Sequence, residues 1–266
     1  MELLNLILLA AIQGLTEFLP VSSSAHLILP SILLGWKDQG LAFDVSVHLG
    51  SLAAVIIYFY SDLKHLTINW LHSLKDGESS PESRLAWCII LSTIPASLVG
   101  LVLGSLIELH LRTILVIAIT TIIFGLALGY ADYKNIGSKD IYKFTWKSAL
   151  FVGFAQVLAL IPGTSRSGIT ITAALLLGFE RTAAAKFSFF IAIPIIFLSG
   201  AYKGVQLSME LAVNWLELSL GALFSFAIAY VCIHLFINLV SKIGMMPFVI
   251  YRVILGIILL IIVANT

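Results

Sequence analysis

The chain has 266 residues, of which 60% are hydrophobic and only 11% are charged, whereas ordinary soluble domains contain about 25% charged residues. This composition excludes an ordinary soluble domain and predicts an integral membrane protein. The net charge of +1 gives no indication of a nucleic-acid partner or of an extended basic surface.

The apolar segments of the chain fall into two classes by length, because a helix needs about 20 apolar residues to cross the hydrocarbon core. Six segments are long enough, and they are approximately Leu41–Tyr60, Leu85–Ile107, Thr113–Ala131, Ala183–Ala201, Trp215–Asn238 and Phe248–Ala264. Four segments are too short, and they form two pairs, Leu3–Thr16 with Ala25–Leu34 and Ala149–Leu160 with Gly168–Gly178.

Each short pair is interrupted by a proline, Pro20 in the first pair and Pro162 in the second. Proline lacks a backbone donor and biases the preceding residue away from helix, so each pair is predicted to be a re-entrant hairpin of two half-helices. Such irregular joints survive at membrane depth only inside protein or beside a water-filled cavity. The alternative is one kinked spanning helix per pair, which would not require the polar residues at both joints.

The two halves of the chain are similar around these joints. Gln13 aligns with Gln156, and each hairpin precedes three predicted spanning helices. An odd number of crossings per repeat inverts the second copy. We therefore predict an all-α integral membrane protein with one domain over residues 1–266, built from two inverted-topology repeats of about residues 1–132 and 147–266.

Basic residues in the loops indicate an orientation, because cytoplasmic loops are enriched in lysine and arginine. The richer side carries Lys64, Lys75, Arg84, Lys134, Lys139, Lys143, Lys147, Arg181 and Lys242. The other side carries Lys37, Arg112 and Lys203. The richer side is predicted to be cytoplasmic, with both termini outside. The segment Asp62–Arg84 is predicted to be a mobile polar loop.

The second joint contains an arginine flanked by hydroxyl groups. Arg166 lies between Ser165 and Ser167, and Thr170 follows within the next turn. An arginine at the centre of a membrane helix costs at least about 2.5 to 3.5 kcal/mol, so it needs an anion. Its planar fork matches phosphate oxygens, and the amides of a helix beginning near Gly168 also favour an anion. The pattern predicts a phosphate cradle.

The first joint supplies a carboxylate. Gln13 and Glu17 are four residues apart and share one helix face. A carboxylate and an amide oxygen beside phosphates are suited to a hard divalent cation, either Mg²⁺ or Ca²⁺. Two alternatives stay open: Glu17 acts as a general base, or it only forms an ion pair with Arg166.

Serines and a histidine follow Pro20. Ser23 is a candidate nucleophile, and His26 is a candidate base, leaving-group acid or phosphoryl acceptor. For Ser22 and Ser24 a helix-capping role is the more ordinary interpretation. The remaining histidines are His48, His65, His72, His110 and His234. They are left out of the predicted chemistry, with His48 excluded least firmly because Asp44 lies one turn before it.

The motifs QGLTEFLPVSSSAH and PGTSRSG with Thr170 strongly resemble those of the undecaprenyl diphosphate phosphatases, the bacitracin resistance protein BacA family. The resemblance extends over essentially the whole chain, including FDVSVHLGS and the closing PFVIYR segment. It places the family's functional positions on Gln13, Glu17, Ser22, Ser23, His26, Ser165, Arg166, Ser167 and Thr170. Two positions are notable against the family pattern. Ala25 stands where the family usually has a glycine, and Gln13 is the uncharged choice at a position where the family has glutamate or glutamine.

The resemblance implies hydrolysis of a C55 polyprenyl diphosphate lipid to the monophosphate carrier, with a divalent cation. It also implies a location in the bacterial inner membrane, with the active site open to the periplasmic face, and it leaves a homodimer open. A lipid transporter or flippase is the rival function, because inverted repeats with broken helices are typical of transporters. A phosphatase of the phosphatidic-acid type is disfavoured, since no histidine occurs in Ile169–Ala174 after Ser165-Arg166.

Overall fold

A computed structural model of the chain describes residues 3–77, 79–207 and 214–265. Its α-helices are α1 Leu3–Thr16, α2 Ser23–Leu34, α3 Gly40–Tyr58, α4 Tyr60–Asp76, α5 Pro81–Leu111, α6 Ile114–Lys134, α7 Trp146–Val157, α8 Arg166–Leu176, α9 Arg181–Leu207, α10 Trp215–Ile243 and α11 Met246–Asn265. Short 3₁₀ turns cover Ile141–Lys143 and Leu158–Leu160. Across the described ranges the only β-structure is an isolated bridge between Lys139 and Phe179. The prediction of an all-α protein is confirmed for these residues.

Six helices are long and apolar enough to cross a membrane, namely α3, α5, α6, α9, α10 and α11. They coincide with the six segments predicted from the sequence. Helices α1, α2, α7 and α8 contain only 11 to 14 residues, which is too short for a crossing. The chain is therefore a multi-pass membrane protein with four additional half-length helices.

Both predicted joints are irregular. The backbone leaves the helical path at residues 17–22, between α1 and α2, and again at residues 161–165, before α8. The residue before each second half-helix has a positive φ, 76° at Ser22 and 71° at Ser165. Among the described residues these two are the only non-glycine residues in that region, which costs about 1 to 3 kcal/mol unless the surroundings enforce it. A single kinked helix per pair is therefore ruled out.

The prediction of a mobile loop at Asp62–Arg84 is wrong. Helix α4 extends to Asp76 and stops where Gly77 adopts a φ of 71°, and α5 begins at Pro81. Leu66 is buried and packs into the hydrophobic core. The apolar residues of α4 occur at helical spacing but are diluted by polar ones, so a test for long apolar segments does not detect this helix.

The half-helices pack against spanning helices from the other half of the chain, α1 against α10 and α7 against α5. Glycine allows both contacts. A Cβ atom added at Gly14 would lie 2.6 Å from the carbonyl oxygen of Ser225, and one added at Gly153 would lie 2.6 Å from that of Ser92. Because a Cβ atom does not fit at either distance, both backbones approach their partners more closely than any other residue would permit.

Candidate active site

The two joints meet through a buried ion pair. An Nη2 hydrogen of Arg166 is donated to Oε1 of Glu17 over 2.9 Å, and the side chains are 13% and 6% exposed. The Ser167 hydroxyl donates to the carbonyl oxygen of Leu19 over 2.7 Å. The ion pair between Glu17 and Arg166, one of the two roles left open for Glu17, is therefore present, and it joins residues 149 positions apart in the sequence.

The second carboxylate oxygen of Glu17 is surrounded by polar side chains. The Ser23 hydroxyl donates to Oε2 over 2.5 Å, and Gln13 Nε2 donates to the same oxygen over 3.0 Å. His48 Nε2 lies 3.6 Å from it. Glu17 is therefore the centre of the cluster, and Ser23 has a proton acceptor at contact distance.

His26 has partners other than Ser23. Its Nδ1 lies 2.7 Å from the carbonyl oxygen of Ser22, and its Nε2 lies 2.6 Å from the hydroxyl oxygen of Tyr251. Because a carbonyl oxygen only accepts, Nδ1 carries the proton in the neutral ring and Nε2 accepts from the tyrosine. The rings of His26 and Tyr251 are also stacked, with centroids 5.7 Å apart. The structure brings Ser23 to Glu17 and His26 to Tyr251.

The Ser22 hydroxyl does not cap helix α2. Ser22 occupies the N-cap position, but its side chain makes no capping hydrogen bond and lies 3.3 Å from the Ser24 hydroxyl. The predicted capping role is therefore wrong for Ser22. The positive φ of Ser22 is not the reason, because Ser165 has a φ of 71° and does cap its helix.

In the second joint, hydroxyl groups shape the segment that carries Arg166. Ser165 Oγ accepts from the Gly168 amide over 3.1 Å and caps α8. Thr170 Oγ1 donates to the Arg166 carbonyl over 2.8 Å and lies 2.8 Å from Ser188 Oγ in α9. These contacts hold the arginine's backbone in place. The substrate-binding roles of Ser165, Ser167 and Thr170 stay predictions.

A second buried arginine was missed by the sequence reasoning. Arg252 in α11 is fully buried and donates to the carbonyl oxygens of Pro20, Gly163 and Thr164, over 3.1, 3.0 and 2.9 Å, and to that of Thr121 over 3.2 Å. It thereby connects both joints to α6. The available signal was an arginine inside an apolar spanning segment, which is costly unless the charge is satisfied.

His48, which was left out of the predicted chemistry, lies beside Glu17, with Nε2 3.6 Å from Oε2. His48 is in α3, and the apolar pattern of this helix gave no indication that the face carrying His48 contacts the first joint. Asp44, whose position one turn before His48 made that exclusion the least firm, contacts His48 through its backbone. Its carbonyl oxygen lies 2.7 Å from His48 Nδ1. Its carboxylate accepts from Gln39 over 2.9 Å.

The predicted cation ligands have suitable chemistry but are few. Glu17 supplies a carboxylate, and Gln13 Oε1 is buried without a hydrogen-bond partner. The part of the chain that the structure describes contains no group of three or more His, Cys, Asp or Glu side chains that could hold a metal ion. A cation at Glu17 would therefore depend on further ligands, such as phosphate oxygens of a substrate.

Comparison with known proteins identifies the family. A family model described as bacitracin resistance protein BacA matches residues 6–258. The chain belongs to the BacA family. The undecaprenyl-diphosphatase of Saccharophagus degradans is 58% identical over 256 residues, covering 96% of each chain. That of Chromohalobacter salexigens is 57% identical, covering 99% of this chain and 100% of the relative. Undecaprenyl-diphosphatase 1 of Pseudoalteromonas translucida is 55% identical, covering 97% of each. Both joints lie inside the BacA match.

Proposed function

We propose that this chain hydrolyses undecaprenyl diphosphate to undecaprenyl phosphate and inorganic phosphate. The reaction recycles the carrier lipid for cell-wall synthesis and confers resistance to bacitracin. Relatives named undecaprenyl-diphosphatase match nearly the full chain. The observation that carries the proposal is the convergence of Arg166 and Ser23 on the Glu17 carboxylate, because it combines a phosphate-binding fork, a hydroxyl nucleophile and a base.

The substrate binds by replacing Glu17 as the partner of Arg166. The guanidinium group accommodates two phosphate oxygens, whereas it makes one hydrogen bond to Glu17 in this structure. Removing one member of a buried ion pair is expensive unless another charge replaces it. The terminal phosphate replaces Glu17 as the negatively charged partner of Arg166. The released Glu17 carboxylate is then free to accept a proton.

The reaction proceeds in two steps. In the first, Ser23 Oγ bonds to the terminal phosphorus while the bond from phosphorus to the bridging oxygen breaks. Undecaprenyl phosphate leaves with that electron pair, and the Ser23 proton passes to Glu17. In the second, water attacks the phosphoserine and returns a proton to Ser23 Oγ, and inorganic phosphate leaves. The proton on Glu17 is released to water.

His26 and direct attack by water are the alternative nucleophilic routes. Labelled substrate mixed briefly with the protein and quenched distinguishes the three. An acid-stable adduct that disappears in Ser23→Ala supports the serine, and an acid-labile phosphohistidine that survives Ser23→Ala supports His26. Turnover without any adduct favours water, with His26 as its base.

A divalent cation, Mg²⁺ or Ca²⁺, belongs to the proposal. Glu17 and Gln13 would hold it together with substrate oxygens, and its charge would offset the negative charges of the diphosphate. Arg166 alone supplies one positive charge to a group that carries several. Phosphate release is therefore expected to stop in excess chelator and to recover when the cation is restored.

We also propose that the fold is an inverted repeat with boundaries near residues 1–132 and 147–266. Residues 1, 2 and 266 lie outside the described ranges. Three pairs of features support it: Ser22 and Ser165 share a positive φ; buried Gln13 and Gln156 each have an unpartnered Oε1; and α1 and α7 contact opposite halves of the chain. We also propose a location in the bacterial inner membrane with a periplasmic opening, which the distribution of loop charges supports.

Hydrolysis and transport are separated by one assay. Purified protein in detergent, given undecaprenyl diphosphate, is expected to release inorganic phosphate at a rate that rises with protein concentration. A flippase has no chemistry to perform in detergent, so no release would be seen. Light scattering on the same preparation measures the mass of the protein and tests the homodimer.

A further inference from the structure

The environment of His48 determines where its proton lies. His48 Nδ1 is 2.7 Å from the backbone carbonyl oxygen of Asp44. A carbonyl cannot donate, so Nδ1 carries the hydrogen and Nε2 of the neutral ring presents a lone pair. Histidines that bind metal ions typically donate their other ring N–H to a carbonyl or carboxylate in this way. Nε2 of His48 is therefore the ring atom that is available to bind a metal ion.

The lone pair of His48 faces another acceptor. Its Nε2 is 3.6 Å from Glu17 Oε2, and a carboxylate oxygen also only accepts. Two such atoms repel each other unless a positive particle lies between them, either a second ring proton or a metal ion. Two ligands that are each about 2.1 Å from one ion are at most about 4.2 Å apart. The 3.6 Å separation is within this limit, so the two atoms could bind the same ion.

Gln13 contacts the same carboxylate oxygen of Glu17. It is fully buried, and its Oε1 has no hydrogen-bond partner, although Nε2 donates to Glu17 and to Ser51. An unsatisfied buried acceptor costs about 1 to 3 kcal/mol. In this structure Nε2, rather than Oε1, faces the Glu17 carboxylate. Half a turn of the amide brings Oε1 to the carboxylate and gives up the two Nε2 hydrogen bonds to Glu17 and Ser51. An ion bound there would take it as a ligand.

We propose that His48 Nε2 is a nitrogen ligand of the divalent cation and that it binds together with Glu17 Oε2 and Gln13 Oε1. The inference rests on the proposed function and adds a ligand to that site. Arg166 bonds Oε1 of Glu17, whereas Oε2 faces His48 and also accepts from Ser23 and Gln13, so an ion at Oε2 would replace these two hydrogen bonds. Imidazole suits the later transition ions, whereas Mg²⁺, Ca²⁺ and Mn²⁺ prefer oxygen ligands. With two oxygen ligands and one nitrogen, the site accepts Mn²⁺ as a spectroscopic substitute for the native cation.

Mn²⁺ binding to the substrate-free protein in detergent tests the proposal, with the EPR signal of the free ion as the readout. His48→Gln is expected to weaken Mn²⁺ binding at least about tenfold. The matched control is His234→Gln, because His234 is exposed on α10 and bonds Tyr58 and Asn238. That variant is expected to bind Mn²⁺ as the wild type does. Equal affinity in His48→Gln would overturn the assignment.

A second measurement needs no variant and therefore does not depend on how substitutions affect folding. Electron spin echo modulation of Mn²⁺ bound to the wild-type protein is expected to show coupling to one imidazole nitrogen. Bound Mn²⁺ without nitrogen coupling, or no bound Mn²⁺, would contradict the proposal. Phosphate release measured on the same preparation separates the two claims, because a protein that turns over yet lacks this coupling is a phosphatase whose His48 is not a ligand.

Discussion

At the scale of single residues, the site is organised by which hydrogen-bond partner each side chain has. Tyr251 illustrates this, because its hydroxyl occupies the one lone pair of His26 that a substrate proton or phosphorus would need. The sequence contained both residues 225 positions apart, and no spacing rule relates them. Such contacts depend on the packing of α11 against the first joint, so they were not predictable from the motif alone.

Replacing Tyr251 by phenylalanine removes the hydroxyl group and keeps the stacked ring. We expect His26 to react faster with diethyl pyrocarbonate in Tyr251→Phe, because Nε2 is no longer covered. The rate of carbethoxylation at His26 is followed by mass spectrometry. Tyr230→Phe, which changes a tyrosine on α10 away from His26, serves as the control. An unchanged rate at His26 would show that the tyrosine does not cover this nitrogen.

Arg252 is expected to be needed for stability. Arg252→Lys keeps the charge but cannot reach four carbonyl oxygens with one ammonium group. Each carbonyl left without a partner costs about 1 to 3 kcal/mol, so the variant should melt at a lower temperature and lose phosphate release. Arg112→Lys, at an exposed arginine 3.9 Å from Asp38, is the matched substitution and should melt like the wild type. Equal melting temperatures for both variants would contradict the role of Arg252.

At the scale of helices, the close contacts of the half-helices set the positions of the joints. Gly14→Ala and Gly153→Ala each place a Cβ atom 2.6 Å from a carbonyl oxygen of the facing helix. We expect each to destabilise the protein by about 1 to 3 kcal/mol. Gly104→Ala is the control, since nothing lies within 4 Å of an added Cβ there and alanine is the better helix former. Thermal unfolding in detergent compares the three variants, and equal stability would exclude the proposed contacts.

The helices also show what sequence patterns can and cannot establish. Segment length alone predicted the six spanning helices, because the hydrocarbon core imposes one minimum length on every crossing. The proline and hydroxyl clusters located both joints. Helix α4 was missed because its one buried side chain, Leu66, is surrounded by polar residues. Its helical state depends on packing against α5, which the sequence pattern does not reveal.

At the scale of the whole molecule, the two broken hairpins place opposite charges next to each other within the protein. Neither Glu17 nor Arg166 has an oppositely charged partner in its own motif, so the approach of the two halves is part of the site. This explains why the contact could be predicted: each buried charge required an opposite charge, and the other joint was the available source. The positions of His48, Tyr251 and Arg252 follow from how the spanning helices pack around that contact, and no local pattern encodes it.

The central claim is that Glu17 and Arg166 act as one unit on the substrate diphosphate. A double-mutant cycle on phosphate release from undecaprenyl diphosphate tests it most directly, using Glu17→Gln, Arg166→Gln and the double variant. We predict that each single variant loses at least about tenfold in kcat/KM, or about 1.4 kcal/mol, and that the double variant is little worse than the poorer single one, since cooperating groups are not additive. Wild-type turnover in either single variant, or a double variant whose loss is the product of the two, would contradict the account.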